Sequence, residues 1–236
     1  MVLKQGKLYG VGIGPGDPQY LTLRAAELLR TADVVFTTIS QNASVSTSQT
    51  VVASQHPRGI VKQLVFSMSR DAAVRQAQVR DNAEAILQEL RQGHDCVFAT
   101  LGDSMTYSTF GYVLEILRSE LPELDVEIVP GITSFATFAA KAQRVLVENR
   151  ESLHVIPSFS EDVAHTLELP PNSTSILLKT YRNRKTLIDR LRAEENISVL
   201  YGEHLTMEDE FFSDDLDEIA ARPEEYLSLM MVKKGK

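Results

Sequence analysis

Two periods of hydrophobic residues alternate along the chain. Short apolar runs predict buried strands, whereas apolar residues spaced three or four apart predict helices. Strands are expected at 7–12, 33–37, 63–66, 95–100, 126–129, 153–157, 174–178, 197–201 and 227–233. Helices are expected after Thr22 and at 71–92, 109–120, 133–142 and 186–195. This alternation predicts an α/β fold, with largely parallel strand pairing in the first half.

Two features divide this pattern. Pro130-Gly131 follows the fifth predicted strand and marks a hinge, so we expect two α/β domains, at 1–129 and 130–236. The stretch 37–55 is unusually polar, with 13 of its 19 residues Ser, Thr, Asn or Gln. That composition predicts mostly loop between the second and third strands.

The charge is concentrated in one part of the chain. The formal net charge is -8, and the segment 203–225 holds ten acidic residues against one basic residue, Arg222. The remainder therefore carries a net charge of only about +1 by the same count. We expect one acidic face and no broad cationic surface, which excludes nucleic acid as a partner.

The number and spacing of cysteines and histidines, and the lengths of the apolar runs, exclude further classes of protein. The single cysteine, Cys96, lies in an apolar run, so we expect a core residue rather than a disulfide or a cysteine-rich metal site. None of the five histidines is paired at a spacing of four, and we expect no metal bound by the protein. No apolar run approaches the ~18 residues of a membrane helix. The first residues lack a secretory pattern, so we expect a cytoplasmic protein without a membrane partner.

Three strand ends carry motifs that suit ligand binding. Positions 12–17 read GIGPGD, a glycine-rich turn that either binds a ligand closely or simply joins strand to helix. The P-loop and dinucleotide patterns do not fit it. Positions 101–109 read LGDSMTYST, where Asp103 binds a ligand or, alternatively, Asp103 or Ser104 caps the next helix. Positions 129–134 read VPGITS, where Thr133 or Ser134 is also a candidate helix cap.

Together these motifs resemble one family, the S-adenosylmethionine-dependent tetrapyrrole methyltransferases of cobalamin and sirohaem synthesis. The family pattern GxGPGxxxxLT matches 12–22, its GDP matches 102–104 and its PG[IV][ST][SA] matches 130–134. Further stretches, LVFSMSRD at 64–71, YST at 107–109 and YGEHLTMEDE at 201–210, resemble the branch that methylates C-20 of precorrin-2 or its cobalt form. Ser104 departs from the family's proline, which we expect to loosen that loop.

The resemblance implies two α/β domains with a cofactor cleft between them, S-adenosylmethionine as methyl donor, S-adenosylhomocysteine as product, and a homodimer. It implies that the first loop, including Gly14 and Gly16, faces the tetrapyrrole. The positions matching cofactor contacts are Pro15, Leu101, Gly102, Asp103, Thr106, Thr133, Ser134, Lys179 and Leu205.

The implied substrate carries many carboxylates, so a local cationic patch is needed on this acidic protein. The densest basic cluster is Lys179, Arg182, Arg184 and Lys185, and a sparser group is Arg70, Arg75 and Arg80. Each group either binds the substrate or is a solvated face. A proton must also leave C-20 after methylation, and the candidate bases are Asp17, Asp103 and Tyr107.

Other functions remain open at this point. The same fold could methylate another corrin carbon or a protein residue, as in diphthine synthesis. A non-catalytic protein could also use the cleft to bind a nucleotide or a tetrapyrrole.

Overall fold

The computed structural model describes residues 4–41, 46–67, 69, 71–157, 166–181 and 183–235. The chain forms two compact units, unit 1 at Met1–Thr133 and unit 2 at Ser134–Lys236. This division falls after Thr133, whereas the sequence placed it after residue 129.

Unit 1 is built on a parallel sheet. Its strands run in the order β3-β2-β4-β1-β5, and every pair is parallel. The prediction of parallel pairing in the first half is therefore confirmed. The strands are β1 (Leu8–Gly12), β2 (Val34–Ser40), β3 (Ile60–Phe66), β4 (Cys96–Thr100) and β5 (Val126–Val129).

Helices cover both faces of this sheet. Helices α1 (Leu23–Thr31) and α2 (Thr47–Ser54) pack on one face, with Leu29 and Val52 fully buried. Helices α3 (Ala72–Arg91) and α4 (Phe110–Glu120) pack on the other face, with Ile86 and Phe110 fully buried. Because both faces are covered, the central strands read as continuous apolar runs.

The prediction that 37–55 is mostly loop is wrong. Strand β2 continues to Ser40, and α2 occupies Thr47–Ser54. The side chain of Ser46 caps α2 by accepting a hydrogen bond from the Gln49 N–H at 3.1 Å. Val51 and Val52 anchor the helix in the core. Helix propensity is low here, and tertiary packing overrides it.

Unit 2 is built on a mixed sheet in the order β6-β7-β10-β8-β9, in which only β6 and β7 pair in parallel. The strands are β6 (Ser152–Pro157), β7 (Ser173–Leu178), β8 (Ile197–Glu203), β9 (Phe211–Ser213) and β10 (Ser228–Lys234). The described helices are α5 (Ser134–Ala142), α6 (Arg184–Arg192) and α7 (Leu216–Ala221). None of the helices in the described ranges is long and apolar enough to cross a membrane.

The expected acidic face at 203–225 is only partly correct. Glu203 is 2% exposed and forms an ion pair with Arg222. Asp217 pairs with Arg192, and Glu210 pairs with Lys141 at 3.1 Å. Much of this acidity is therefore neutralised within unit 2. The segment also forms β9 and α7, which the sequence analysis did not predict.

Candidate functional site

The three motif loops meet at one edge of the unit 1 sheet. They follow β1, β4 and β5, which are neighbours in the sheet order β4-β1-β5. Parallel strands end at the same edge, so the loops at 13–22, 101–109 and 130–133 lie side by side. This edge is where ligands bind in open α/β sheets.

Main-chain hydrogen bonds join the first two loops. The Ile13 N–H donates to the Thr100 carbonyl at 2.9 Å. Gly14 and Gly102 exchange two bonds, N–H to carbonyl, at 3.2 Å and 2.7 Å. The two loops thus stay hydrogen-bonded to each other beyond Gly12 and Thr100, the last paired residues of β1 and β4. These main-chain bonds fix the position of one loop relative to the other.

Asp103 joins the second loop to the third. Its Oδ2 accepts a hydrogen bond from the Gly131 N–H at 3.1 Å. Its Oδ1 accepts from the Met105 N–H at 3.0 Å and from the Thr106 hydroxyl at 2.9 Å. Asp103 does not cap α4, which begins at Phe110. It forms a local turn and holds the neighbouring loop.

These hydrogen bonds also set the ionisation of Asp103. Partial burial by itself would raise the pKa of the carboxyl group. The hydrogen bonds from Gly131, Met105 and Thr106 outweigh burial and lower the pKa below its ordinary value. Asp103 is therefore ionised, with both carboxylate oxygens hydrogen-bonded, which makes it a poor proton acceptor. The structure argues against Asp103 as the base.

The three loops approach each other too closely for side chains. A Cβ atom at Gly131 would lie 2.0 Å from the Gly102 carbonyl oxygen, and one at Gly12 would lie 2.5 Å from the Gly131 nitrogen. Both positions require glycine for this close approach.

Ser104 does not loosen the loop in the way the sequence suggested. The residue is fully buried, and its hydroxyl donates to the Val129 carbonyl at 3.3 Å. The proline of the family pattern could not make this bond. Ser104 therefore adds a second link between the loop after β4 and the end of β5.

Open space lies next to the second motif loop at Gly102. Gly102 has a φ of +71°, and a Cβ placed there would meet nothing within 4 Å. Gly102, Leu101 and Pro15 are half-buried, and Thr106 is exposed. Apolar side chains beside a hydroxyl fit a nucleoside with both polar and apolar surfaces.

The other candidate bases lie on the same loops. Asp17 caps the short 3-10 helix Pro18–Tyr20, where its Oδ1 accepts from the Gln19 N–H at 2.8 Å. Tyr107 is 52% exposed and has a φ of 51°, which is uncommon for a residue other than glycine. Both are close in sequence to the loop contacts, and both remain candidates.

The predicted contacts of unit 2 lie at one edge of its own sheet. Lys179 follows β7, and Leu205 follows β8. These two strand ends flank the start of β10, because Leu229 pairs with Leu178 on one side and with Gly202 on the other. The side chain of Leu205 is buried in the core, so it is not available to a ligand. Ser134 is the first residue of α5, directly after Thr133.

The prediction that Arg184 binds the substrate is wrong, because its side chain is buried. Arg184 is only 6% exposed, and it donates to the Tyr201 hydroxyl at 3.1 Å and to the carbonyls of Arg222 and Pro223. Its charge is used inside unit 2, so we exclude Arg184 from the substrate-binding set. Lys185 is exposed, as a substrate contact requires. Arg182 lies outside the described residues.

The sequence did not indicate the hydrogen bonds that join the loop after β4 to the end of β5, because their partners are far apart in the chain. The bond from Asp103 to Gly131 spans 28 residues, and the bond from Ser104 to Val129 spans 25. Only the adjacency of β4, β1 and β5 could have indicated them. In the described part of the chain, His, Cys, Asp and Glu side chains form no group that could hold a metal.

Known proteins resemble this chain over nearly its full length. The family model described as Tetrapyrrole (Corrin/Porphyrin) Methylases matches residues 7–220. The cobalt-precorrin-2 C(20)-methyltransferase of Salmonella typhimurium is 33% identical, over 97% of each chain. The probable cobalt-precorrin-2 C(20)-methyltransferase of Methanocaldococcus jannaschii is 30% identical, over 98% of this chain and 97% of the other.

The fold is also similar to a solved structure, uroporphyrin-III C-methyl transferase from Thermus thermophilus complexed with S-adenyl homocysteine. The TM-score is 0.68 at 21% identity, over 97% of this chain and 92% of that one. With the family model matching most of the sequence, the chain belongs to the tetrapyrrole methylases.

Proposed function

We propose that this protein transfers a methyl group from S-adenosylmethionine to C-20 of precorrin-2 or of its cobalt form, in cobalamin biosynthesis. The observation that carries the proposal is the near full-length similarity to two C(20)-methyltransferases. The joined loops at Gly102, Asp103 and Gly131 support the cofactor part of the proposal, because they hold three motif segments together at one edge of the sheet.

The cofactor, when bound, supplies an electrophilic methyl group on a sulfonium. In an in-line displacement the bond from sulfur to carbon breaks as the bond to C-20 forms, so alignment is the main demand on the protein. Asp103 meets this demand by fixing the loops after β4 and β5 relative to each other. The proposed cofactor contacts are Pro15, Leu101, Gly102, Asp103, Thr106, Thr133, Ser134, Lys179 and the backbone at Leu205.

The proton that leaves C-20 needs an acceptor other than Asp103. Asp17 and Tyr107 are the remaining candidates among the residues singled out. A strong base is not required, because the methylated macrocycle is itself acidic at that carbon. We therefore expect loss of either side chain to slow turnover less than misplacement of the loops.

The substrate part of the proposal rests on charge and on backbone. Gly16 in the first loop is half-buried, and its backbone can lie close to a flat macrocycle. Gly14, predicted with it, is buried, and both its N–H and its carbonyl are bound to Gly102, so its part is to hold the loop. Lys185 is exposed, and with Lys179 it supplies positive charge for the carboxylates of the tetrapyrrole. The homodimer implied by the family and the cytoplasmic location expected from the sequence belong to the same proposal. Light scattering of the purified protein tests the first of these.

One experiment tests the reaction. The protein is incubated with S-adenosylmethionine carrying a 13C-labelled methyl group and with either metal-free or cobalt-loaded precorrin-2. NMR then locates the label. We expect it at C-20, with one of the two substrates preferred. Label at another corrin carbon or on a protein would contradict the proposal, and binding of S-adenosylhomocysteine without any transfer would favour a carrier.

A further inference from the structure

The turn after β8 has an unusual backbone. His204 and Thr206 have φ values of 50° and 67°, and Lys179, in the turn after β7, has a φ of 56°. These three non-glycine residues in the left-handed region lie at one edge of the unit 2 sheet. Such conformations are strained for residues other than glycine and persist only where the surroundings hold them.

His204 is held by two carboxylates from different segments. Its Nδ1 pairs with the Asp209 carboxylate, from the same turn, and its Nε2 lies 3.0 Å from Oε1 of Glu225, from the segment before β10. We call these three residues the His204 bridge. The main chain adds to it, because the His204 N–H donates to the Leu227 carbonyl at 3.0 Å. The bridge therefore ties the strained turn to the start of β10.

The same segment before β10 also holds the turn after β7. The Lys179 Nζ lies 5.1 Å from the centroid of the Tyr226 ring, and the Lys179 N–H donates to the Ser228 carbonyl at 3.0 Å. The Ser228 hydroxyl donates in turn to the Glu225 carbonyl at 2.7 Å. Glu225 is thus connected to both turns.

The bridge requires a charged imidazole, because only the protonated ring donates from both nitrogens. Partial burial would lower the pKa of His204, but the hydrogen bonds and charges of Glu225 and Asp209 outweigh burial and raise it. The other charged groups facing the turn are Glu210 and Lys141. Glu210 accepts from the Thr206 N–H at 2.6 Å and pairs with Lys141 at 3.1 Å, and neither bond involves the His204 ring.

We propose that His204 is a positioning residue for the cofactor, which holds the turn at 204–206 in its binding shape through Asp209 and Glu225. The inference rests on the proposed function, because it takes this turn to contact S-adenosylmethionine. It goes further in making cofactor affinity depend on the protonation of one side chain. The stabilising form exists below the ordinary His pKa of ~6.5 and is lost as the pH rises through the higher pKa of the folded protein.

The test is titration calorimetry with S-adenosylhomocysteine from about pH 6 to about pH 9, a range that starts near the ordinary His pKa of ~6.5 and extends upward, in the direction of the shift. We expect the dissociation constant of the unsubstituted protein to rise as the pH rises. His204→Gln should weaken binding about tenfold at the acidic end, since a tenfold change corresponds to ~1.4 kcal/mol, and should remove the pH dependence. Hydrogen exchange should show faster exchange of the backbone amides of 204–207 in the variant.

His94→Gln is the matched control, because His94 also pairs with a buried carboxylate, Glu89, at 2.7 Å, but within unit 1. It should leave both affinity and pH dependence unchanged. Glu225→Gln keeps an oxygen that accepts from His204 but removes a charge, so the pH at which affinity falls should move down.

The outcomes separate the two proposals. Failure to bind S-adenosylhomocysteine at any pH overturns the proposed function and this inference with it. Normal binding with a flat pH profile, or equal affinities and exchange rates in His204→Gln and the unsubstituted protein, overturns the inference alone. An equal loss in His94→Gln also overturns it, because the effect would then be one of general stability.

Discussion

The carboxylate of Asp103 accepts a hydrogen bond from the backbone N–H of Gly131, at 3.1 Å. The bond joins the loop after β4 to the loop after β5, across the position of β1 between them. Since Oδ1 simultaneously closes the local turn at Met105, one side chain fixes the shape of one loop and the place of the next.

Substitution of Asp103 tests this role. Asp103→Ala removes the acceptor for three donors, and we expect the dissociation constant of S-adenosylhomocysteine to rise about tenfold or more, because hydrogen bonds to charged groups contribute ~1.5–3 kcal/mol. Titration calorimetry measures it. Asp71→Ala is the control, because Asp71 caps α3 by the same kind of bond to Ala73. It should cost about 1 kcal/mol of stability without changing affinity. Equal affinity in the two variants would contradict the assignment.

The contribution of Asp103 to cofactor affinity should be lost only at the acidic pH at which its carboxylate becomes protonated. Its pKa is lowered, so its stabilising contribution is present above the ordinary Asp pKa of ~3.9 and is lost as the pH falls through the lower pKa of the folded protein. We therefore expect affinity to be independent of Asp103 ionisation throughout the neutral range. Titrations of Asp103→Asn should run parallel to those of the unsubstituted protein above about pH 5. A difference in slope there would mean that the carboxyl titrates at a higher pH than its hydrogen bonds imply.

Two glycines form a matched pair for testing the close approach of the loops. Gly131→Ala places a Cβ 2.0 Å from the Gly102 carbonyl oxygen, whereas Gly111→Ala in α4 meets nothing within 4 Å. We expect the first change to abolish cofactor binding through displaced backbone. The second should keep binding and stabilise the protein by about 0.5–1 kcal/mol, since alanine is the better helix former. Thermal unfolding and titration calorimetry measure both, and normal binding by Gly131→Ala would place the junction outside the site.

Much of unit 1 could be predicted from the sequence, because its central strands β1, β2 and β4 are largely buried and read as apolar runs. Helix α2 could not, because its only strong signals are Val51, Val52 and the Ser46 cap within a run of Ser, Thr and Gln. In unit 2, β9 and α7 lie in an acidic segment whose pairing partners, such as Arg192, come from elsewhere in the chain. Composition alone reports such a segment as a solvated face.

The candidate site shows the same limit. The three motifs and Asp103 were identifiable, since they follow strands that end at one edge. Arg184 was not, because spacing in a basic cluster does not say which side chain turns inward to Tyr201. The His204 bridge depends on Glu225, 21 residues away in the sequence, and only the antiparallel pairing of β8 with β10 brings the two together.

Substitutions of the neighbours Arg184 and Lys185 should have different effects, one on the stability of the fold and the other on substrate binding. Arg184→Met removes the donor to the Arg222 and Pro223 carbonyls and one of the hydrogen bonds of the buried Tyr201 hydroxyl, and we expect the free energy of unfolding to fall by about 3 kcal/mol. Lys185→Met should change stability by no more than about 0.5 kcal/mol and should raise the KM for the tetrapyrrole at low salt. Urea unfolding and steady-state kinetics give the two readouts. A normal KM for Lys185→Met would leave Lys185 as a solvated residue.

Cys96 should report on the integrity of unit 1. Burial, with a smaller contribution from the charge of Glu89, raises the pKa of its thiol to about 12. The thiol is therefore protonated and enclosed at neutral pH, and a thiol reagent such as Ellman's should react only after unfolding. Reaction at the rate of a free thiol in native buffer would show that the core opens readily around β4.

The obstacles that a side chain would meet at Gly12 and Gly131 are main-chain atoms of the neighbouring loops. A second substitution can shorten a side chain, but it cannot remove a carbonyl or an amide nitrogen. A genetic screen for suppressors of Gly131→Ala should therefore return reversion to glycine and no compensating change at a contacting position. Gly12 and Gly131 can therefore not be replaced one substitution at a time, because no further single change restores the space that a side chain would need.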